Sequence, residues 1–235
     1  MRVGILLADH TPPDLVEQHG DFDHHIECLL ADRDLQFVSY PVVDNEFPGS
    51  PTCCDAWIVT GSTYSANDAL EWIARLKEFV RAVRVANRPL VGICFGHQLI
   101  ASAFGGAVAK SEDGWTVGPV RYRRTDTGAD VVLNACHKEE VVAVSSDAIV
   151  LGTSDGCIHA IVAYGDRVLT YQAHPELTTE YIRDVVAHDE RIVLSKGREL
   201  CADHEGDTTL TVAQAADEIY SVLVTPLHSN VSAPA

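Results

Sequence analysis

Short apolar runs alternate with longer stretches of helical period over the first hundred residues. Arg2–Ala8 is an apolar run that reads as a buried first strand, followed by a Thr-Pro-Pro turn. Phe22, Ile26, Leu29 and Leu30 recur at helical spacing up to about Asp32. Leu35–Tyr40 and Ala56–Thr60 read as the second and third strands. Leu70, Ile73, Leu76, Phe79, Val80 and Val83 then mark one face of a long helix. Pro89–Ile93 reads as a fourth strand, and Phe95–Phe104 as a helix stopped by Gly105-Gly106. This alternation predicts an α/β fold, a mostly parallel central sheet covered by helices on both faces.

From about Ala107 the texture changes. Val117–Arg123, Val141–Val144, Ala148–Thr153, Ile158–Tyr164 and Val168–Ala173 are strand-like, with turns such as Ser154-Asp155-Gly156 between them. They predict a small antiparallel part that feeds one strand back into the main sheet. A helix is expected from about Thr178. The chain therefore divides into a main domain over 1–190 and a C-terminal helical extension over 191–235. The extension holds helical stretches near Ile192–Cys201 and Val212–Val224, separated by the polar loop His204–Thr209. Apolar positions from Val212 to Leu223 recur at helical spacing, so this helix must bury a stripe on the domain or at an interface. Ser229–Ala235 is small and polar enough to fray.

Composition narrows the function classes. The chain has 235 residues, 46% apolar and 22% charged, which excludes a disordered polymer. Its formal charge of −17 repels phosphate backbones and anionic membranes, so neither nucleic acid nor a membrane is an expected partner. No window approaches the ~18 apolar residues of a membrane helix, and the run Val3–Ala8 is too short for a signal-peptide core. The chain has 7 cysteines without framework spacing, which reads as reduced thiols in a cytoplasmic protein.

The sharpest chemical feature is Gly92-Ile93-Cys94-Phe95-Gly96-His97-Gln98, which follows an apolar strand and opens a helix. This is the strand–turn–helix context of a nucleophile elbow, with Cys in place of Ser. A cysteine there feels unpaired N–H groups and the positive end of the helix dipole, and both favour the thiolate. The competing reading is a buried core cysteine before an ordinary turn. The second feature is Tyr171-Gln172-Ala173-His174-Pro175-Glu176. A cysteine nucleophile needs a base, which His174 can be, and the base needs an acceptor, which Glu176 can supply. A loop histidine beside a solvated glutamate is the competing reading here.

Gly-x-Cys-x-Gly-His-Gln followed by Gln-x-His-Pro-Glu resembles the class I glutamine amidotransferases, the Cys-His-Glu triad family. The likeness covers roughly residues 1–190 and is greatest to stand-alone members similar to the amidotransferase domain of GMP synthetase. It implies a flavodoxin-like fold, Cys94 as nucleophile, His174 as general base and acid, and Glu176 as the residue orienting His174. It further implies that Gln98 helps hold glutamine and that Gly61-Ser62 forms the oxyanion loop. Ser62 stands where the family usually has a second glycine. The oxyanion would meet the amides of Ser62 and Phe95. Cys136-His137-Lys138-Glu139-Glu140-Val141 is similar to the family's Ser-His-x-Asp-x-Val segment, whose backbone holds the amino-acid end of the substrate. Glu139 replaces the usual Asp.

The implied reaction is hydrolysis of the γ-amide of glutamine through a Cys94 thioester, giving glutamate and ammonia without metal or other cofactor. The alternatives are a γ-glutamyl peptidase with the same triad and a non-catalytic binding module of the same fold, whose hallmark would be a missing triad member. Another elbow-cysteine family places histidine directly after the cysteine, where this chain has Phe95. Implied partners are glutamine or a γ-glutamyl compound, a separate amine-accepting synthetase subunit, and a second copy in a homodimer. Asp21, Asp23, His24 and His25 read as a solvated acidic face rather than a metal site. Cys53-Cys54 lacks the partner pair that a zinc site requires. Lys110 and Gly114-Trp115 are placed at the rim of the cleft, with Trp115 read as packing.

Overall fold

The computed structural model describes residues 1–188 and 210–225. Eleven strands and six α-helices are described: β1 Arg2–Leu6, α1 Pro13–His19, α2 Phe22–Leu29, β2 Gln36–Tyr40, β3 Ala56–Val59, α3 Glu71–Val85, β4 Leu90–Ile93, α4 Phe95–Ala103, β5 Ala107–Lys110, β6 Thr116–Arg124, β7 Asp130–His137, β8 Glu139–Ala143, β9 Ala148–Ser154, β10 Cys157–Tyr164, β11 Val168–Tyr171, α5 Thr179–His188 and α6 Val212–Val224. Nine strands form one sheet in the order β2-β1-β3-β4-β11-β10-β9-β6-β7. The pairs from β2 through β11 are parallel. Those from β11 through β7 are antiparallel, so the antiparallel part continues the main sheet. β11 is the strand that returns beside β4. β5 and β8 pair in a separate two-stranded sheet.

The period of two along each strand sorts the core into two layers. Val3, Ile5, Ile58, Val91 and Ile93 face a layer with Ile26 and Leu30 of the α2 region and Ile219 and Val222 of α6. Leu6, Trp57, Val59 and Leu90 face the other, with Trp72, Ile73, Leu76 and Val80 of α3 and Leu99 of α4. Helix α6 thus lies against the central sheet. A buried clasp holds it there: the Arg124 guanidinium donates to both Glu218 oxygens, at 2.7 and 2.8 Å, and to Asp126. Tyr171 donates to the same Glu218 carboxylate.

Among the described residues the elements read from periodicity are present, with ends shifted by one to three residues. Three further elements carry no clear apolar period. Helix α1 buries none of its residues, so it has no stripe to detect. β5 is four residues long and at most half-buried. β7 is buried but polar in the middle, because Asn134 satisfies its amide by donating to Leu177 O at 2.9 Å. The readings over Ile192–Cys201, His204–Thr209 and Ser229–Ala235 lie outside the described residues. Among the described residues no helix is long and apolar enough to cross a membrane.

Candidate active site

The elbow forms where β4 meets α4. Cys94 sits at φ +51° and ψ −102°, a left-handed backbone that costs free energy for a non-glycine residue. It is held by its neighbours: Cys94 N donates to Tyr171 O at 2.8 Å and Gln98 N to Cys94 O at 3.0 Å. Gly96 is required by close approach, since a Cβ there would stand 2.4 Å from Val59 O. The turn leaves Phe95 as the first residue of α4, with an amide that no helical carbonyl can reach. The Phe95 side chain is fully buried in the core beside Trp72, so only its backbone can serve the site.

His174 follows β11 and is fixed from two directions. Its amide donates to Asn134 O at 2.7 Å, which ties it to β7. Its Nδ1 lies 2.7 Å from Glu176 Oε1. That leaves Nε2 free of Glu176, and the Cys94 sulfur is near enough to favour the charged imidazole. Burial works against the charged ring, but Glu176 and Cys94 together outweigh it and raise the His174 pKa well above its ordinary value. His137 shows the opposite balance. Burial and the nearby His174 charge push its pKa down to about 4, so it is a neutral lining group.

The loop after β3 crosses in front of this pair. A Cβ on Gly61 would fall 2.8 Å from His174 Cε1, so glycine is what lets the loop approach the imidazole. Ser62 is not among the residues with positive φ, so its side chain costs no backbone strain there. The loop is anchored by Asp9, directly after β1. Asp9 Oδ2 accepts from Thr63 N at 2.7 Å, Thr63 Oγ at 2.6 Å and Ser62 Oγ at 3.4 Å. Asp9 Oδ1 accepts from His10 N at 2.9 Å.

A cavity of about 530 Å³ opens over Cys94. Ser62, Gln98, Cys136, His137, Lys138 and His174 line it with Cys94, so residues singled out from four separate segments converge. Glu176 stands behind His174, buried and outside the lining. Gly61 and Phe95 border the site through backbone. The Gln98 side chain is engaged within the protein. Its Nε2 donates to Glu139 O at 2.8 Å and Gln172 Oε1 at 3.1 Å, fixing the start of β8 against α4. Gln172 in turn reaches the Cys94 sulfur at 3.7 Å.

Lys138 caps the Trp115 ring at 5.4 Å. Trp115 both packs against the α5 cluster and lines the cavity, so it does more than the packing expected of it. The acidic face expected around His24 and His25 is only half solvated. His24 is exposed, whereas His25 is buried with its ring 4.5 Å from that of Tyr181. Asp9 and Asn134 were not legible as site residues, and Gln172 belongs to the Gln-x-His-Pro-Glu run without a role read for it. For Asp9 a signal existed, an acid placed immediately after a buried strand.

Comparisons with known proteins give the family and the fold. The family described as glutamine amidotransferase class-I matches residues 16–191. Gamma-glutamyl peptidase 4 of Arabidopsis thaliana is 29% identical over 182 residues, 72% of either chain. One chain of the glutamine-hydrolyzing GMP synthase of Halobacterium salinarum is 29% identical over 173 residues, 69% of this chain and 87% of that one. Among solved structures, a glutamine amidotransferase from Methylobacillus flagellatus superposes with a TM-score of 0.70 at 20% identity, over 95% of this chain and 93% of the other. The elbow, the histidine–glutamate pair and the match over residues 16–191 place this chain in the class I glutamine amidotransferases.

Proposed function

We propose that the chain hydrolyses a γ-glutamyl amide through a thioester on Cys94. The observation that carries this reading is the Cys94 elbow facing an imidazole whose other nitrogen is held by Glu176 at 2.7 Å. The Cys94 thiolate attacks the side-chain carbonyl carbon, and a C–S bond forms. The carbonyl oxygen takes the negative charge and meets the amides of Ser62 and Phe95. When the C–N bond breaks, the His174 imidazolium gives its proton to the departing nitrogen. A water then loses a proton to His174 and adds to the thioester. The C–S bond breaks, glutamate leaves, and the thiolate–imidazolium pair is restored. Glu176 keeps the imidazole in the tautomer and orientation that both half-reactions need.

With glutamine as substrate the departing group is ammonia. The relative from a GMP synthase supports a separate amine-accepting synthetase as partner, and an acceptor of that kind would dock where ammonia emerges. The plant peptidase supports the second reading, a γ-glutamyl peptide in place of glutamine. The test is glutamate release by the purified full chain from glutamine and from γ-glutamyl dipeptides. Turnover that vanishes in Cys94→Ser is expected, and absence of release from every such amide refutes the proposal.

A further inference from the structure

Resting on the hydrolase reading above, we infer that the preferred leaving group is an amine carrying an apolar or aromatic body rather than ammonia. The cavity of about 530 Å³ is within the ~300–1,000 Å³ range that encloses drug-sized molecules, and glutamine alone leaves much of it unfilled. Its two ends differ in chemistry. At one end polar groups interlock: Ser65 Oγ donates to Glu139 Oε2 at 2.6 Å, Ser65 N to Asp68 Oδ2 at 2.9 Å, and Lys110 stands nearby on the same lining. This end suits the charged amino-acid head of a γ-glutamyl group. The other end is walled by Phe22, Trp115, Leu177, Tyr181, Ile182 and Val185. Phe22 and Tyr181 meet edge to face with ring centroids 6.4 Å apart. The Tyr181 hydroxyl is already bonded to Thr11 at 3.1 Å, so its ring is what that residue offers a ligand.

The position of His174 decides which end receives the departing nitrogen. The general acid must touch that nitrogen to protonate it. From His174 the chain runs through Glu176 and Leu177 into α5, which carries Tyr181, Ile182 and Val185 one and two turns on. Substituents on the nitrogen therefore extend along the apolar wall. Ammonia has no carbon to bury there. For an amine R–NH₂ each buried methylene is worth about a fourfold gain in kcat/KM. The overall step balances as γ-glutamyl–NH–R plus water giving glutamate and R–NH₂, with the proton delivered by His174 and recovered from the water.

The experiment measures kcat/KM of the full chain on L-glutamine, γ-glutamyl-glycine, γ-glutamyl-leucine and γ-glutamyl-phenylalanine. The leucine and phenylalanine compounds are expected to exceed both glutamine and the glycine compound by about tenfold or more. Val185→Thr keeps the side-chain shape but puts a hydroxyl in the wall, and it is expected to cut the leucine-to-glycine ratio about threefold. Val185→Ala, read beside it, should also lower the ratio, with a melting curve for each variant to confirm that it folds. Equal or better turnover of glutamine, or a ratio unmoved in both variants, overturns the inference. Labelling of Cys94 by a diazo-ketone analogue of glutamine, run on the same sample, separates the two readings. Labelling together with a preference for glutamine overturns only the leaving-group inference. No labelling and no hydrolysis of any compound overturns both.

Discussion

Replacing Asp9 tests whether the proposed oxyanion donor, the Ser62 amide, is held in place by a residue outside the cavity lining. The Asp9 carboxylate accepts from two groups of Thr63, from Ser62 Oγ and from His10 N, at 2.6 to 3.4 Å. Hydrogen bonds to a charged group contribute roughly 1.5–3 kcal/mol each when well buried. Asp9 is half-buried and Thr63 exposed, so screening by solvent lowers this to about 1 kcal/mol for each of the stronger bonds. In Asp9→Asn the amide group can replace one carboxylate oxygen but must point a donor at another donor. The expected result is a loop that samples other positions at a cost of about 2 kcal/mol, and a kcat about thirtyfold lower. Loss of one oxyanion donor outright costs ~10²–10³ in kcat, so the partial effect should fall below that range. Because the oxyanion forms only in the transition state, KM should move little. The assay is steady-state glutamate release, with diazo-ketone labelling of Cys94 as a control that the elbow survives. Unchanged kcat, or a loss expressed only in KM, would show that Asp9 does not set the position of the Ser62 amide.

Cys94→Ala and His174→Ala should each lower turnover by about a thousandfold or more, and the double variant should be little worse than either; losses that multiply would break the shared-mechanism argument. The same labelling experiment should mark Cys94 and leave Cys53 and Cys201 unmarked, as mass spectrometry of the digested protein will show. The raised His174 pKa sets the sign of a stability effect. Burial opposes the charge, Glu176 and Cys94 overcome it, and the folded state binds this proton more tightly than the unfolded one. The stabilisation is therefore full below the ordinary value of 6.5 and is lost as pH rises through the raised value. Glu176→Gln should move that loss to lower pH in a series of denaturant midpoints, and an unmoved series would refute the assignment. Ile219→Ala on α6, where the side chain is 1% exposed, should cost about 2–5 kcal/mol and lower Tm by roughly 5–15 °C. An unchanged melting curve would mean that α6 contributes nothing to the core. Removing the chain beyond Ile192 should lower Tm further for the same reason.

What could be read from the sequence is what a short stretch of chain determines by itself. Cys94 was legible because its partners in the turn, Gly92 and Gly96, are two residues away on either side. His174 and Glu176 were legible as a pair because a two-residue separation brings carboxylate to imidazole without help from the rest of the fold. The sheet's parallel half was legible because its strands are buried on both faces and read as apolar runs between helical periods. β7 was not, because Asn134 is buried in partnership with His174, Leu177 and Thr179, and nothing local marks that pairing. Asp9 falls in the same class. The departure at Ser62 makes the dependence concrete. A glycine in the oxyanion loop needs no partner for a side chain, whereas a serine there must place its hydroxyl somewhere. Here Ser62 Oγ accepts from Tyr64 N at 3.1 Å and donates to Asp9 at 3.4 Å. The substitution that looked like a weakness in the motif thus adds two tethers to the loop. A serine at that position and an acid after the first strand are one structural device, written 53 residues apart.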